Sequence, residues 1–205
     1  MWDRVLDLAS GQQRHRPGET AVGRLQWTVP RHDVTAFAGQ IDLDPLGAIE
    51  SAPVWMTRAE RLLLYTLAFC LRPRRYLEIG TYQGGSALLV SSALQSLGSD
   101  GRIYCVEPRP AIAPEHWRLL EARTTLVKGY SPAILPEAVR LAGGRFDLAL
   151  VDGDHTHEGV LADAGGLLPC VQHGGYLLFH DSFHPDVARA IDEFVEAHPD
   201  EVVDL

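Results

Sequence analysis

The chain has 205 residues, with 18 lysines and arginines against 27 aspartates and glutamates, which gives a formal net charge of −9. This length fits one domain with a full hydrophobic core. The acidic balance and the lack of any basic run argue against nucleic-acid binding, and no apolar run is long enough to span a membrane. We therefore expect neither nucleic acid nor a membrane as a partner.

The start of the chain and its cysteines indicate the cellular compartment. The first residues lack the apolar core of a signal peptide. The cysteines, Cys70, Cys105 and Cys170, are odd in number, lack metal-ligand spacing and are expected to be small core residues in a reducing environment. The sequence therefore predicts a cytoplasmic protein.

Residues 1–52 differ in composition from the rest and are predicted to form an N-terminal arm or cap segment. Apolar residues at helical spacing predict a short amphipathic helix at its start; they are Trp2, Val5, Leu6 and Ala9. An irregular stretch rich in arginine, glycine and proline follows. The residues alone leave open whether this arm covers a ligand site or is loosely packed surface.

Residues 53–205 are predicted to form the main domain, which begins with a capped helix. Thr57 and Glu60 make a capping box. The apolar helix face that follows consists of Leu62, Leu63, Leu67 and Leu71 and is ended by Pro73. Trp55, just before the cap, is expected to pack in the core.

From Arg75 onward, short apolar strands alternate with helices. The predicted strands are 76–80, 103–107, 124–127, 146–152 and 176–180. The predicted helices are 86–97, 114–121, 132–141, 156–168 and 185–197. This alternation predicts an α/β fold, a three-layer, doubly wound and mostly parallel sheet. In such a sheet, ligands bind outside the carboxyl ends of the strands, where the strand order reverses.

The first of these strands turns directly into a helix through a glycine loop. Glycine lets the backbone come close to a ligand. A dinucleotide site has a second glycine where Tyr82 stands, because a pyrophosphate rests on the helix N-terminus. A bulky ring, together with the carboxylate of Glu78, instead suits a phosphate-free ligand with a positive centre, such as S-adenosylmethionine (SAM). The alternative is an ordinary tight turn after a core strand.

At this loop the sequence resembles the class I methyltransferases, and among them the metal-dependent catechol O-methyltransferase-like group. The first motif of that group reads acid-x-Gly-x-Tyr-x-Gly-x-Ser, and it is matched by Glu78, Gly80, Tyr82, Gly84 and Ser86. The resemblance covers about residues 53–198 and implies a Rossmann-like fold with SAM held by these residues and Thr81. It also implies that the N-terminal arm covers an acceptor pocket or builds a dimer contact, and it offers an alternative role for Trp55, because related enzymes often place the loop at that position against the methionine end of the cofactor.

Two further strand ends are candidates for nucleoside binding. Glu107 ends the second predicted strand, where a carboxylate can accept hydrogen bonds from both ribose hydroxyls. Both SAM and NAD can make that contact, so it does not distinguish between the two cofactors. Residues 129–131 resemble the Gly-x-Ser segment that lies near the adenine in the family, although Ser131 is explained equally well as a helix N-cap before Pro132.

The fourth and fifth predicted strands end in Asp152 and Asp181. If these strands are neighbours, the two carboxylates lie about 5 Å apart and repel each other unless a cation or a proton lies between them. Mg²⁺ fits such a pair. In the family, a third metal ligand, usually asparagine, directly follows the second aspartate. That position is Ser182 here, a weaker ligand, so the use of magnesium stays open.

The resemblance also assigns a general base, usually lysine, to the third position after the first metal-site aspartate. That position is His155, beside Asp152, which we expect to take part in catalysis and in cofactor binding as well. Histidine titrates near neutral pH and can accept a hydroxyl proton. The alternative is that His155 caps the next helix beside Thr156.

These segments are most similar to bacterial O-methyltransferases that modify macrolide sugars or secondary metabolites. The resemblance implies O-methylation of a hydroxyl on a small molecule, namely a sugar, a phenol or a secondary metabolite. The alternatives are a cephalosporin-hydroxylase-like protein, an NAD-linked dehydrogenase, a non-catalytic cofactor-binding protein and a metal-dependent hydrolase. The donors for the hydrolase would be Asp152, Asp154, His155, His157, His180, Asp181 and His184.

The C-terminal residues depart from the family pattern. Class I methyltransferases usually finish with an antiparallel hairpin, and residues 201–205 supply enough chain for one strand only. We expect an incomplete C-terminal hairpin, with the edge of the sheet closed differently. A partner subunit in a homo-oligomer is one candidate for that closure.

Overall fold

The structure is a computed structural model, and it describes residues 5–7 and 47–204. Its strands are β1 (Val5–Asp7), β2 (Arg75–Ile79), β3 (Arg102–Val106), β4 (Thr124–Val127), β5 (Phe146–Val151), β6 (Val171–Phe179) and β7 (Val203–Asp204). Its helices are α1 (Gly47–Ser51), α2 (Arg58–Leu71), α3 (Gly85–Ser96), α4 (Pro114–Leu120), α5 (Leu135–Ala142), α6 (His157–Leu167) and α7 (Pro185–Ala197). A 3₁₀ turn, Leu168–Cys170, precedes β6.

The strands form one sheet in the order β4-β3-β2-β5-β6-β1-β7. The five strands from β4 to β6 run parallel to one another. Strand order reverses between β2 and β5, because β3 and β4 lie on one side of β2 while β5 and β6 lie on the other. This arrangement confirms the predicted doubly wound α/β fold and places a crevice at the carboxyl ends of β2 and β5.

Each face of the sheet is covered by helices around its own hydrophobic cluster. Successive side chains of a strand point to opposite faces, so Leu77 and Ile79 of β2 belong to one cluster and Tyr76 to the other. The first cluster includes buried residues of α5, α6 and α7. The second includes buried residues of α1, α2 and α3. The result is the three-layer arrangement expected from the sequence.

The edge of the sheet is closed by the chain's own N-terminal residues. Residues 5–7 form β1, which pairs antiparallel with β6, and β7 then pairs antiparallel with β1. The helix predicted around Val5 and Leu6 is therefore wrong at these residues, since a run of so few apolar positions suits a strand as well as a helix. Strand β1 of the same chain occupies the antiparallel position next to β6, for which the sequence had suggested a partner subunit.

Helix α2 begins as predicted but buries a different face. The Thr57 N–H donates to Oε2 of Glu60 at 2.6 Å, and the Glu60 N–H donates to Oγ1 of Thr57 at 3.3 Å, which completes the capping box. Leu62 is exposed, which corrects the predicted apolar face; the buried residues are Glu60, Leu64, Tyr65 and Ala68. The face of α2 that packs in the protein therefore carries a carboxylate at its first turn.

The cysteine prediction holds for two of the three residues. Cys105 and Cys170 are buried, whereas Cys70 is exposed on α2, and all three are free thiols. The expectation that Cys70 is a core residue is therefore wrong. Among the described residues, no helix has both the length and the apolar character needed to cross a membrane. Most of the predicted N-terminal arm, residues 8–46, lies outside the described residues.

Candidate active site

The carboxyl ends of the parallel strands surround a cavity of about 560 Å³. Its lining comes from the loops after each of these strands: residues 80–83, 107–109, 129–131, 152–155 and 180–181. The predicted site residues that line it are Gly80, Thr81, Tyr82, Ser86, Glu107, Ser131, Asp152, His155 and Asp181. Glu78, Gly84 and Ser182 are not among its lining residues. The sheet thus brings most of the predicted site together.

The glycines after β2 allow close contacts inside the protein. A Cβ on Gly80, whose φ is +90°, would lie 1.9 Å from the carbonyl oxygen of Asp152, and a Cβ on Gly85 would lie 2.5 Å from the carbonyl oxygen of Pro53. Such distances exclude any side chain at either position. The loop is therefore packed directly against the end of β5 and the segment before α2. These contacts require glycine for a structural reason, in addition to the expected close approach of a ligand.

Tyr82 occupies the position of the missing second glycine, and its backbone takes a left-handed conformation with φ of 43°. Its N–H donates to Oε2 of Glu107 at 3.0 Å, and Oε1 of Glu107 accepts the N–H of Arg109 at 2.8 Å. Glu107 therefore joins the loops after β2 and β3. Each carboxylate oxygen can accept more than one hydrogen bond, so Glu107 can still accept from a ligand hydroxyl.

Trp55 lies at the mouth of the cavity, and the expectation that it packs in the core is wrong. Its side chain is 85% exposed, and its ring meets Tyr82 edge-on with the ring centroids 6.1 Å apart. The segment that carries Trp55 is held by Arg61, whose guanidinium donates to the carbonyls of Ile49, Glu50, Ala52, Val54 and Met56. The backbone of this segment is thereby drawn towards Arg61, while the Trp55 ring remains outside the core.

Glu78 lies beneath the cavity and is 1% exposed. The Tyr76 hydroxyl donates to its Oε2 at 3.2 Å, and the Cys105 thiol donates to its Oε1 at 3.4 Å. Burial raises the pKa of Glu78, and the hydroxyls of Thr81 and Ser86 offset part of that effect. The carboxylate supports the glycine loop from below, and its predicted contact with a cofactor stays a prediction.

Four ionisable side chains converge at the ends of β5 and β6. They are Asp152, His155, His180 and Asp181, and one donor atom of each lies within 4.8 Å of the others. Nε2 of His155 lies 3.0 Å from Oδ2 of Asp181 and 3.6 Å from Oδ1 of Asp152. Nδ1 of His180 lies 3.1 Å from both of these carboxylate oxygens. The expected neighbouring carboxylates are thus present, with two imidazoles beside them.

The charges in this cluster stabilise one another. Burial raises the pKa of Asp152, but the hydrogen bonds from His155 and His180 outweigh it, so the pKa lies below its usual value. The hydrogen bond to Asp152 raises the pKa of His155. Burial lowers the pKa of His180, but the carboxylates of Asp152, Asp181 and Glu60 outweigh burial and raise it. Both imidazoles therefore hold a proton more readily than a free histidine does.

Asp181 reaches the cluster through an unusual backbone conformation. Its φ is +53°, a left-handed value that costs a residue with a side chain about 1–2 kcal/mol. Ser182, the predicted third metal ligand, follows in the same turn and does not line the cavity. Its ligand role stays a prediction.

Two residues of the site were missed by the sequence analysis. His180 was considered only as a donor for a hydrolase, although an imidazole that ends an apolar strand next to Asp181 was a usable signal. Asp163 also lines the cavity and is buried, and burial raises its pKa while the Ser131 hydroxyl opposes that rise. Its signal was an acid on the otherwise apolar buried face of α6.

The other donors considered for a hydrolytic site do not join the cluster. Oδ1 of Asp154 accepts the N–H of Thr156 at 2.9 Å. Nε2 of His157 lies 2.9 Å from Oε2 of Glu193 on α7. His184 is the exposed residue before the first turn of α7. Within residues 5–7 and 47–204, the cluster therefore lacks the larger donor set that a two-metal hydrolase needs.

A relative and two solved structures are similar to this chain. A rhamnosyl O-methyltransferase of Mycobacterium tuberculosis is 27% identical over 145 residues, which cover 64% of this chain and 59% of that protein. An O-methyltransferase of Streptomyces achromogenes involved in tomaymycin synthesis, solved with SAM, has a TM-score of 0.59 at 21% identity and covers 82% of this chain and 83% of that one. An O-methyltransferase of Bacillus cereus, solved with S-adenosylhomocysteine (SAH), has a TM-score of 0.59 at 19% identity and covers 81% and 83%.

The two structural likenesses concern the fold and agree with the observed sheet. The chain spans about 59% of the length of the curated relatives it matches. Residues 77–182, about half of the chain, match the family model described as a methyltransferase domain. This stretch begins in β2 and ends just after Asp181, so it includes every strand end that lines the cavity. The chain belongs to the family of methyltransferase domains.

Proposed function

We propose that the protein is a SAM-dependent O-methyltransferase that acts on a hydroxyl of a small molecule. Beyond the family itself, one observation carries this proposal. The glycine loop, Glu107 and the His155 cluster line the same cavity, so a nucleoside cofactor and a proton acceptor can work side by side. A sugar, a phenol or another secondary metabolite is the acceptor class that we expect.

The cavity suits a cationic nucleoside. Its volume of about 560 Å³ lies in the range of small-molecule sites. Glu107 can accept hydrogen bonds from ribose hydroxyls, and Ser131 is our candidate for the neighbourhood of the base. Tyr82 and the carboxylates of the lining favour a positive ligand over a pyrophosphate. When bound, SAM supplies a methyl group on a positively charged sulfur.

His155 is our candidate for the general base. Its side chain is 42% exposed at the cavity, so an acceptor hydroxyl can reach its ring. The neutral imidazole accepts the hydroxyl proton, and the carboxylates of Asp152 and Asp181 stabilise the imidazolium that results. Asp152 also orients the ring, because it contacts both imidazoles. Orientation of the acceptor against the methyl group supplies much of the remaining acceleration.

The cluster also fits a divalent cation. The donor atoms lie close enough together for a single ion to contact several of them, and two carboxylates are suitable anionic ligands. Asp152 and Asp181 would hold such an ion, with Ser182 as the further ligand suggested by the family resemblance. An ion held there would lower the pKa of an acceptor hydroxyl.

The relatives give a first acceptor to test. The name of the mycobacterial relatives, rhamnosyl O-methyltransferase, supports a deoxysugar hydroxyl as the first choice, with catechol as the phenolic alternative. The division into an arm over 1–52 and a domain over 53–205, a cytoplasmic location and a homo-oligomer stay predictions.

The test is transfer of an isotope-labelled methyl group from SAM to an aryl rhamnoside or to catechol, followed by mass spectrometry. We expect a singly methylated ether from at least one acceptor, and none with Asp152→Ala. Binding of SAM without transfer to any hydroxylated acceptor would instead mean a cofactor-binding protein without this activity.

A further inference from the structure

His180 presents its two ring nitrogens to two different carboxylate environments. Nδ1 lies 3.1 Å from the nearest oxygens of Asp152 and Asp181. Nε2 lies 3.9 Å from Oε1 of Glu60. The side chain is only 6% exposed, so the imidazole is held between the cavity and the first turn of α2. Nδ1 thus faces the carboxylates of the cluster, whereas Nε2 faces the carboxylate of Glu60.

Glu60 divides its two oxygens between two tasks. Oε2 accepts the N–H of Thr57 at 2.6 Å and completes the capping box of α2. Oε1 faces His180. The carboxylate is 7% exposed, and the cap holds it in place at the buried end of the helix. Glu60 therefore caps α2 and also lies beside the imidazole of His180, which lines the cavity.

We propose that Nδ1 of His180, together with Asp152 and Asp181, binds a divalent transition-metal ion, and that Glu60 is a positioning residue that orients the His180 ring. This inference rests on the proposed function, because it concerns the same cavity. Metal-binding histidines commonly direct their second nitrogen to a carboxylate, which fixes the tautomer and the ring orientation. Glu60 lies on the side of His180 where such a carboxylate is found, with Oε1 3.9 Å from Nε2, an electrostatic contact longer than a hydrogen bond.

The donor set decides which metal is preferred. Mg²⁺ favours oxygen ligands and keeps several waters, whereas an imidazole nitrogen favours first-row transition ions. A site with one buried imidazole and two carboxylates therefore suits Mn²⁺ or Co²⁺ better than Mg²⁺. His155 is much more exposed than His180, so His155 remains the residue that accepts the proton of the acceptor hydroxyl.

A metal-free cluster is the competing explanation. A proton on His180 can also screen the repulsion between the two carboxylates. The affinity for a metal ion and the coordination of that ion by a nitrogen atom distinguish a metal site from a protonated, metal-free cluster. Both can be measured without any enzymatic turnover.

The experiment uses the full chain after removal of metals with a chelator. Mn²⁺ is added, free Mn²⁺ is followed by electron paramagnetic resonance, and nitrogen ligands are detected by pulsed measurement of ¹⁴N coupling. We expect one Mn²⁺ per chain, bound at least about tenfold more tightly than competing Mg²⁺. The ¹⁴N coupling should persist in His155→Ala and disappear in His180→Gln.

The positioning role has its own matched variants. Glutamine also serves in a capping box, so Glu60→Gln should keep α2 and the melting temperature while the affinity for Mn²⁺ falls about 10–100-fold. Glu115→Gln, at an exposed first-turn position of α4, should leave Mn²⁺ affinity unchanged. Equal affinities in the two variants would overturn the role of Glu60.

The outcomes also separate this inference from the proposed function. SAH binding is measured in the same chelated protein by calorimetry. If SAH binds but Mn²⁺ shows no preference over Mg²⁺, or if the ¹⁴N coupling survives in His180→Gln, the metal inference is wrong and the proposed function stands. If SAH does not bind either, the proposed function is wrong as well.

Discussion

Nε2 of His155 lies 3.0 Å from Oδ2 of Asp181, although the two residues follow different strands of the sheet. The contact exists because β5 and β6 are parallel neighbours, with Val151 paired to Phe179 at their ends. It places a half-exposed imidazole between two carboxylates at the edge of the cavity. The chemistry proposed for this protein depends on that imidazole losing and gaining a proton.

The activity should rise with pH through the titration of His155. Only the neutral ring accepts a proton, and the hydrogen bond to Asp152 raises the pKa of His155. In the metal-free protein we therefore expect the inflection in kcat above the value of about 6.5 of an unperturbed histidine. A pH profile of methyl transfer checks this, and an inflection below that value would contradict it.

His155→Ala should lower turnover with little change in the affinity for SAM. General-base catalysis contributes about 10²–10⁴-fold, so a fall of that size is expected, together with loss of the inflection. Labelled-methyl assays and calorimetry measure the two quantities separately. Unchanged turnover would remove His155 from the mechanism.

Asp152→Ala should abolish methyl transfer, because this carboxylate contacts both imidazoles of the cluster. Asp186→Asn is the control, because its carboxylate pairs with Arg189 at the surface of α7, away from the residues that line the cavity. We expect the control to keep turnover within a few-fold of the wild type; similar losses in both variants would mean that Asp152 has no special role.

Much of this site was predictable because it follows from strand ends in a parallel sheet. The strand Thr124–Val127 has the predicted bounds, and the other central strands differ by a residue or a few. The largest difference is β6, which begins at Val171 although only 176–180 was predicted, because polar residues and glycines interrupt its apolar pattern at 172–175.

The remaining errors concern contacts between distant parts of the chain. Strand β1 forms because β6 offers it a free edge, and nothing in residues 5–7 alone specifies that partner. The approach of Glu60 to His180 likewise depends on how α2 packs on the sheet. Local patterns predict elements, but long-range pairing decides the edge of the sheet and the residues behind the site.

Gly80→Ala should disrupt the fold near the site far more than Gly98→Ala. Both glycines have positive φ, but a Cβ at Gly98 meets nothing within 4 Å, whereas a Cβ at Gly80 would lie 1.9 Å from the carbonyl oxygen of Asp152. We expect a loss of about 1 kcal/mol at Gly98 from the backbone conformation alone and at least about 3 kcal/mol at Gly80. Urea unfolding measures both, and equal losses would contradict the close contact.

Arg61→Gln should weaken SAH binding several-fold and lower the free energy of unfolding by about 1–3 kcal/mol, because backbone carbonyls of the segment that carries Trp55 lose their donor. Arg58→Gln is the control. Its guanidinium pairs with Glu50 at the surface, and such pairs contribute about 0–1 kcal/mol. Calorimetry with SAH and urea unfolding compare the two variants; a similar effect of both would mean that Arg61 does not hold the segment.

Titration with SAM, followed by calorimetry and by thermal melting, tests most directly whether the strand ends form a cofactor site. We expect one equivalent to bind with a rise in melting temperature, and Gly80→Ala to lose that binding. If the wild-type protein gives neither heat nor an increase in melting temperature, the assignment of this cavity to SAM is wrong.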